Sequence, residues 1–129
     1  MIHLLDTSIV VDHLRGKHKL KESVVKAGIA ISIITFGELL CGAHKSKNKE
    51  KSLALIREFI SDLRVDILEL NQEIMHIYAK TKVLLEQTGK KLDDLDLLIG
   101  STAVNHSLPL ATLNLQHFER IPNIQIIAD

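Results

Sequence analysis

The chain has 129 residues, 46% hydrophobic, 25% charged and only 3% aromatic, which fits one globular domain with a core of Ile, Leu, Val and Ala. Lys+Arg and Asp+Glu both number 16, so no global field announces a nucleic-acid or membrane partner, although local separation of charge stays open. Cys41 is the 1 cysteine, which excludes an intrachain disulfide and suits the cytoplasm; no apolar run nears the roughly 20 residues of a membrane span, and MIHLLD lacks the cationic start and long apolar stretch of a signal peptide.

Residues 2–5 (IHLL) read as a short buried strand. Asp6, Thr7 and Ser8 form a turn-and-cap cluster, and SIVVDHLRG reads as a helix closed by Gly16. Residues 17–27 are lysine-rich, with a short helix ending at Gly28. IAISII (29–34) is a second strand, unbroken and β-branched as a parallel sheet demands. Thr35 is placed as the cap of a helix to about Lys47, and residues 49–63 form an amphipathic helix on Leu53, Ile56, Phe59, Ile60 and Leu63. VDIL (65–68) is a third strand. Asn71 caps a long helix that Gly89 closes, and Asp93 or Asp94 starts a helix apolar nearly all round, hence buried. PLAT (109–112), one helical turn at 115–118 and IQII (124–127) complete the chain. The alternation predicts an α/β protein: a single-domain α/β/α sandwich over 1–129 with a parallel central sheet of about five strands.

Three carboxylates fall at one edge of such a sheet. Asp6 directly follows the first strand, where open α/β sheets bind ligands. Glu38 is expected in the first turn after the second strand, with small neighbours Cys41 and Gly42 that leave room for a ligand or another element. Asp96 begins the apolar helix, facing Gly100. Each has a plainer use: Asp6 as a helix cap, Glu38 against the helix dipole, Asp96 in the first turn. Together they repel one another and resist burial unless a cation joins them, and a divalent metal suits the set. After the fourth strand, Thr112, Asn114 and His117 add groups able to hold a water or move a proton.

LLDTSIVVDHL, ISIITFGELLCGA and GKKLDDLDLLIGSTAVNHSLPLATLNLQHFERIPNI, in that order, resemble the PIN-domain ribonucleases, and most of all the VapC-type toxins of toxin–antitoxin pairs. The resemblance covers nearly the whole chain. It implies a Mg²⁺- or Mn²⁺-dependent endoribonuclease that cuts RNA, is neutralised by a cognate antitoxin and forms a homodimer. Carried over, it puts the metal at Asp6, Glu38 and Asp96, and substrate contacts at Thr7, Ser8, Thr112 and Asn114. Where family members often carry a fourth acid, this chain has Asn114 and His117, which opens the question of a second ion. It also keeps an alternative in play: a catalytically inactive PIN-like module that binds RNA or protein.

Two surfaces follow. Arg15, Lys17, Lys19, Lys21 and Lys26, and again Lys45, Lys47, Lys49 and Lys51, are expected as a rim for RNA phosphates or as a solvated face. Ile9, Val10, Leu14, Leu20, Val24 and Val25 are expected as surplus apolar surface for the antitoxin or as core. The seven histidines show no metal spacing, and HExxH, CxxC and GxSxG are absent. A phosphoacceptor receiver domain is disfavoured: the third strand ends in Leu68-Glu69, and ATLN lacks the lysine such a domain needs.

Overall fold

The computed structural model describes residues 2–127. Strand β1 (His3–Leu5) leads into α1 (Thr7–Leu14) and α2 (Glu22–Ala27); β2 (Ile29–Ser32) leads into α3 (Ile33–Lys45) and α4 (Lys49–Asp62). Then follow β3 (Asp66–Leu68), α5 (Gln72–Gln87), α6 (Asp94–His106), β4 (Leu110–Ala111), α7 (Leu115–Phe118) and β5 (Ile126–Ile127). The strands form one sheet in the order β3-β2-β1-β4-β5, and every pairing is parallel.

Alternation along each strand divides the core in two. Leu5, Ile29, Ile31 and Ala111 point to one face, under Ile9, Val10, Val24, Leu39, Ile56 and Phe59 of α1 to α4. Leu4, Ala30 and Leu110 point to the other, under Leu85, Leu97, Ile99 and Ala103 of α5 and α6 and Phe118 of α7. Helices therefore cover both faces, and the α/β/α arrangement expected of the sequence is the one found. The early helices are core, not surplus: Ile9, Val10, Leu20 and Val24 are all buried. Ile9, Val10 and Val24 lie on the inner stripes of α1 and α2, and Leu20 packs inward from the loop between them, so little of the apolar set remains for a partner.

Register decides where the site lies. Leu5 pairs with Ile31 on one side and Ala111 on the other. The next residues, Asp6, Ser32 and Thr112, therefore stand side by side at the carboxyl end of the sheet. The chain runs outward from β1 through β2 to β3, then returns to β1's other edge for β4. That reversal opens a crevice between β1 and β4, the place where such sheets bind ligands.

The second strand is shorter than expected. Ser32 Oγ accepts the Ile34 N–H at 3.0 Å and starts α3 there, which removes residues 33–34 from the strand. Thr35 is thus inside the helix and does not cap it. Asn71 caps α5 as expected, accepting the Ile74 N–H at 2.8 Å. Gly100 serves packing: a Cβ there would collide with Ile121 Cδ1, with Phe118 Cδ1 3.6 Å away. Its small size lets α6 sit against the α7 segment and is not a feature of the acid edge. Among the described residues no helix is long and apolar enough to cross a membrane.

Candidate active site at the switch point of the sheet

Asp6 is the anchor. It is 2% exposed and caps α1, its Oδ1 accepting the Ile9 N–H at 3.0 Å. Ser8 Oγ lies 2.8 and 3.0 Å from its two oxygens. Thr112 Oγ1 donates to Oδ2 at 2.5 Å and accepts the Asn114 N–H at 2.9 Å. Capping and site membership are not alternatives here; one carboxylate does both. Burial pushes the Asp6 carboxyl above its ordinary value, against the opposing pull of the donors from Thr112, Ile9 and Ser8.

Glu38 lies in the second turn of α3, not the first, because Ser32 is the cap. The helix dipole acts mainly within the first turn, so that explanation for an acid here weakens. Thr7 Oγ1 donates to Glu38 Oε1 at 2.6 Å and lies 3.1 Å from Thr35 Oγ1. Thr35 is fully buried. It was not foreseen as part of the site, although the Thr-x-x-Glu spacing that puts it on Glu38's helix face was a visible signal.

Asp96 is half-buried in the first turn of α6, after the cap Asp93. Its carboxyl is raised first by burial, then by repulsion from Asp93, Glu38 and Asp6, while the charge of His117 works the other way. That list of neighbours is what convergence means physically: the acids at positions 6 and 38 lie within electrostatic reach of Asp96. No Lys or Arg pairs with any of the three among the described residues. Asp93, read from sequence as a simple cap, also bears on Asp96.

The remaining expected residues divide. Thr7, Ser8 and Thr112 spend their hydroxyls on the acids. Thr112 is 1% exposed, so its position is behind Asp6. Asn114 and His117 are exposed, and the Asn114 side chain makes no capping bond to α7. The basic runs lie elsewhere: Arg15 to Lys21 follow the far end of α1, and Lys45 to Lys51 sit where α3 turns into α4. At 1.5 Å per residue, Arg15 is roughly 13 Å along α1 from Asp6. Between α1, α3 and α4 runs a groove of about 220 Å³, with Val11, Leu14, Arg15, Glu38, Gly42 and Leu55 in its walls.

As they stand, no three His, Cys, Asp or Glu side chains among the described residues are close enough to share one ion. The hydroxyl donors account for this by holding Asp6 and Glu38 on separate partners. The donor set is nonetheless all hard oxygen with a repulsive excess of negative charge. It fits an ion that keeps several waters and meets only one or two carboxylates directly, and it does not fit the nitrogen and sulfur sites of zinc.

A family model described as PIN domain matches residues 3–124. The chain is 36% identical over 129 residues to Ribonuclease VapC2 of Rickettsia felis, covering 96% of this chain and 95% of that protein. It is 32% identical over 130 residues to the tRNA(fMet)-specific endonuclease VapC of Salmonella typhimurium, covering 95% and 94%. The fold superposes on the Rickettsia felis VapBC2 structure, solved bound to a DNA fragment from their promoter, with a TM-score of 0.90, 33% identity and coverage of 99% and 98%. Acids and hydroxyls at the switch point, and likeness along nearly the full length, lead to one conclusion: the chain belongs to the PIN-domain family, among the VapC ribonucleases.

Proposed function

We propose that this protein is an endoribonuclease toxin that cleaves RNA phosphodiester bonds with Mg²⁺ or Mn²⁺ at Asp6, Glu38 and Asp96, and that a cognate antitoxin neutralises it. One observation carries the reading: Asp96 feels the charges of Asp6 and Glu38 with no Lys or Arg paired to any of them among the described residues. A partly buried acid cluster without a counter-charge is costly for a fold and useful for binding a cation.

A hard divalent ion supplies phosphate neutralisation and an activated water. The protein's own part is positioning. Thr112 and Ser8 fix the Asp6 carboxylate and favour its charged form. Thr7 fixes Glu38. Burial and repulsion raise the Asp96 carboxyl above its ordinary value, a cost that an arriving cation would offset. Thr7, Ser8 and Thr112 reach substrate through the acids they orient. Asn114, exposed at the mouth, is the member of the expected substrate set free to touch RNA directly.

The groove between α1, α3 and α4 has Glu38 in its wall, so a segment of antitoxin lying in it would cover an acid of the site. That is a sufficient means of neutralisation and agrees with the VapBC assembly of the Rickettsia relative. A homodimer has a candidate face in α5, where Met75, Val83 and Leu84 are exposed. The lone exposed Cys41 suits the reducing cytoplasm, which is part of the same reading.

The test is cleavage of a total-RNA pool by antitoxin-free protein with Mg²⁺, Mn²⁺ or EDTA, beside Asp96→Asn. The printed name of the Salmonella relative makes tRNA the first fraction to inspect. Discrete products that need metal and vanish in the variant are expected. Folded protein that binds RNA and cuts nothing with either metal would replace this reading with the inactive binding module.

A further inference from the structure

Among the helices on the other face of the sheet from the groove of α1, α3 and α4 lies a second concavity, of about 770 Å³, with Gly89, Lys90, Lys91, Gln116, Glu119 and Arg120 in its walls. Three cations face one carboxylate there, in a chain whose total charge is zero. None of the three makes an ion pair among the described residues.

The basin is built, not incidental. Gly89, at φ +69°, ends α5 by turning the chain through a conformation that favours glycine. The Lys90 N–H then returns to Leu85 O at 2.8 Å, so Lys90 and Lys91 leave the helix on a fixed path. Arg120 Nη1 donates to the Lys91 carbonyl at 2.8 Å, which ties this wall to the segment after α7. Both walls connect to the segments that meet at Asp96. Residues 89–93 run straight into the helix that carries Asp96. On the other side, α7 carries His117, whose charge is felt at Asp96.

We propose that Lys90, Lys91 and Arg120 form a phosphate-binding subsite for RNA beside the acid cluster, holding backbone phosphates next to the cleaved bond. This rests on the ribonuclease reading above. Acids hold a metal but repel the substrate's own charge, so an adjacent cationic wall is the complement a polyanion requires. Arg120 keeps N–H donors beyond the one spent on Lys91, and the lysines act as point charges. No aromatic side chain is in the basin, so bases have nothing to stack on; the subsite grips backbone and is indifferent to sequence.

The experiment measures binding of a labelled single-stranded RNA oligonucleotide to full-length protein in an Asp96→Asn background, across a salt series. Variants are Lys90→Ala with Lys91→Ala, and, as a comparison, Lys47→Ala with Lys49→Ala. The first pair leaves the Lys91 carbonyl and its bond from Arg120 intact, and circular dichroism melts check the fold. The expected result is an affinity lower by roughly tenfold and a slope of log K against log salt shallower by about 1.4, that is, about 0.7 for each of two lost phosphates. Unchanged affinity and slope overturn the proposal. So does an equal loss in the Lys47/Lys49 pair, which would make the attraction diffuse, or no RNA binding at low salt. Unaltered RNA binding with loss of antitoxin binding would reassign the basin to protein and equally overturn it. Metal-dependent cleavage by the wild-type chain is measured alongside. If it fails while the lysine pair still sets the salt slope, the nuclease reading falls and the subsite stands; cleavage with an unchanged slope gives the reverse.

Discussion

The Thr112 hydroxyl donates to Asp6 Oδ2 across 106 positions of sequence, joining the ends of the two strands between which the chain reverses direction. Removing that proton leaves a buried acceptor short and the Asn114 N–H without its partner. Thr112→Val keeps the shape, so the cost is polar: about 1–3 kcal/mol in urea unfolding. The bond also lowers the Asp6 pKa against the rise from burial. Its loss lifts that pKa further, so the acid limb of the cleavage pH profile moves to higher pH. Thr112→Ser should restore both. A valine variant indistinguishable from the serine one in profile and stability would refute the role.

Asp96→Asn should make the protein more stable at neutral pH while ending metal-dependent cleavage. Its folded pKa is raised above the unfolded value of 3.8. Stability from such a group is present at low pH and is lost as pH rises from that value through the folded pKa. Asparagine removes the penalty, so its melting temperature exceeds wild type at pH 7, and the gap closes as acid protonates Asp96. Mg²⁺ should raise the wild-type melting temperature by the equivalent of about 2.7 kcal/mol at a hundredfold excess over Kd. The variant should respond far less. Equal Mg²⁺ responses would remove Asp96 from the ion's ligands.

Thr7→Val frees Glu38 from its 2.6 Å donor and costs about 1 kcal/mol of stability, the ordinary worth of one such bond. The larger effect is on the ion, because partners that orient a ligand commonly carry 10-fold or more of its affinity by order of magnitude, about 10–100-fold. Isothermal titration with Mn²⁺ measures this directly. Undiminished affinity would show that Glu38 needs no orientation.

Gly42 offers a clean test of the groove. A Cβ there meets nothing within 4 Å, and the residue lies mid-helix in α3. Gly42→Leu therefore enters open space and should gain up to about 1 kcal/mol of helix stability. It also fills the groove, so antitoxin affinity should fall by at least about tenfold. Surface plasmon resonance with the cognate antitoxin gives the answer; full affinity in a folded variant would place the antitoxin elsewhere.

Much of this architecture was legible in the sequence because its signals were strong. The cap Asn71 left one option and appears as expected, and the apolar run at 29–34 forms a strand over its first four residues, Ile29–Ser32. Asp6 and Glu38 were equally readable at the carboxyl end of the sheet, since each comes after a parallel strand; Asp96 opens α6 after another helix, α5, and its approach to them depends on how that helix packs. Errors arose where two local choices competed. Ser32 and Thr35 are both good caps, and sequence does not say which hydroxyl finds a free N–H; choosing Thr35 displaced Glu38 by a turn. The apolar residues of α1 and α2 left surplus surface and core both open, because the area of sheet they cover is set by tertiary packing, and core is what they form. The hydroxyl network and the basin at Lys90, Lys91 and Arg120 could not be read locally. Both join segments tens of residues apart, and only register and loop geometry bring them together.

The central place of β1 has a consequence for the protein's birth. Ribosomes add residues N-terminus first, at about 5–20 per second. Asp6 is therefore made long before its neighbours on one side: its strand is flanked by β4, and the Thr112 hydroxyl emerges 106 residues later. Until then one edge of β1 has no neighbour, and the Asp6 carboxylate has its local partners Ser8 and Ile9 but not Thr112. The site stays incomplete until the chain has been made as far as Thr112. An antitoxin already present meets its target at that moment, with no earlier interval in which a half-made enzyme must be restrained.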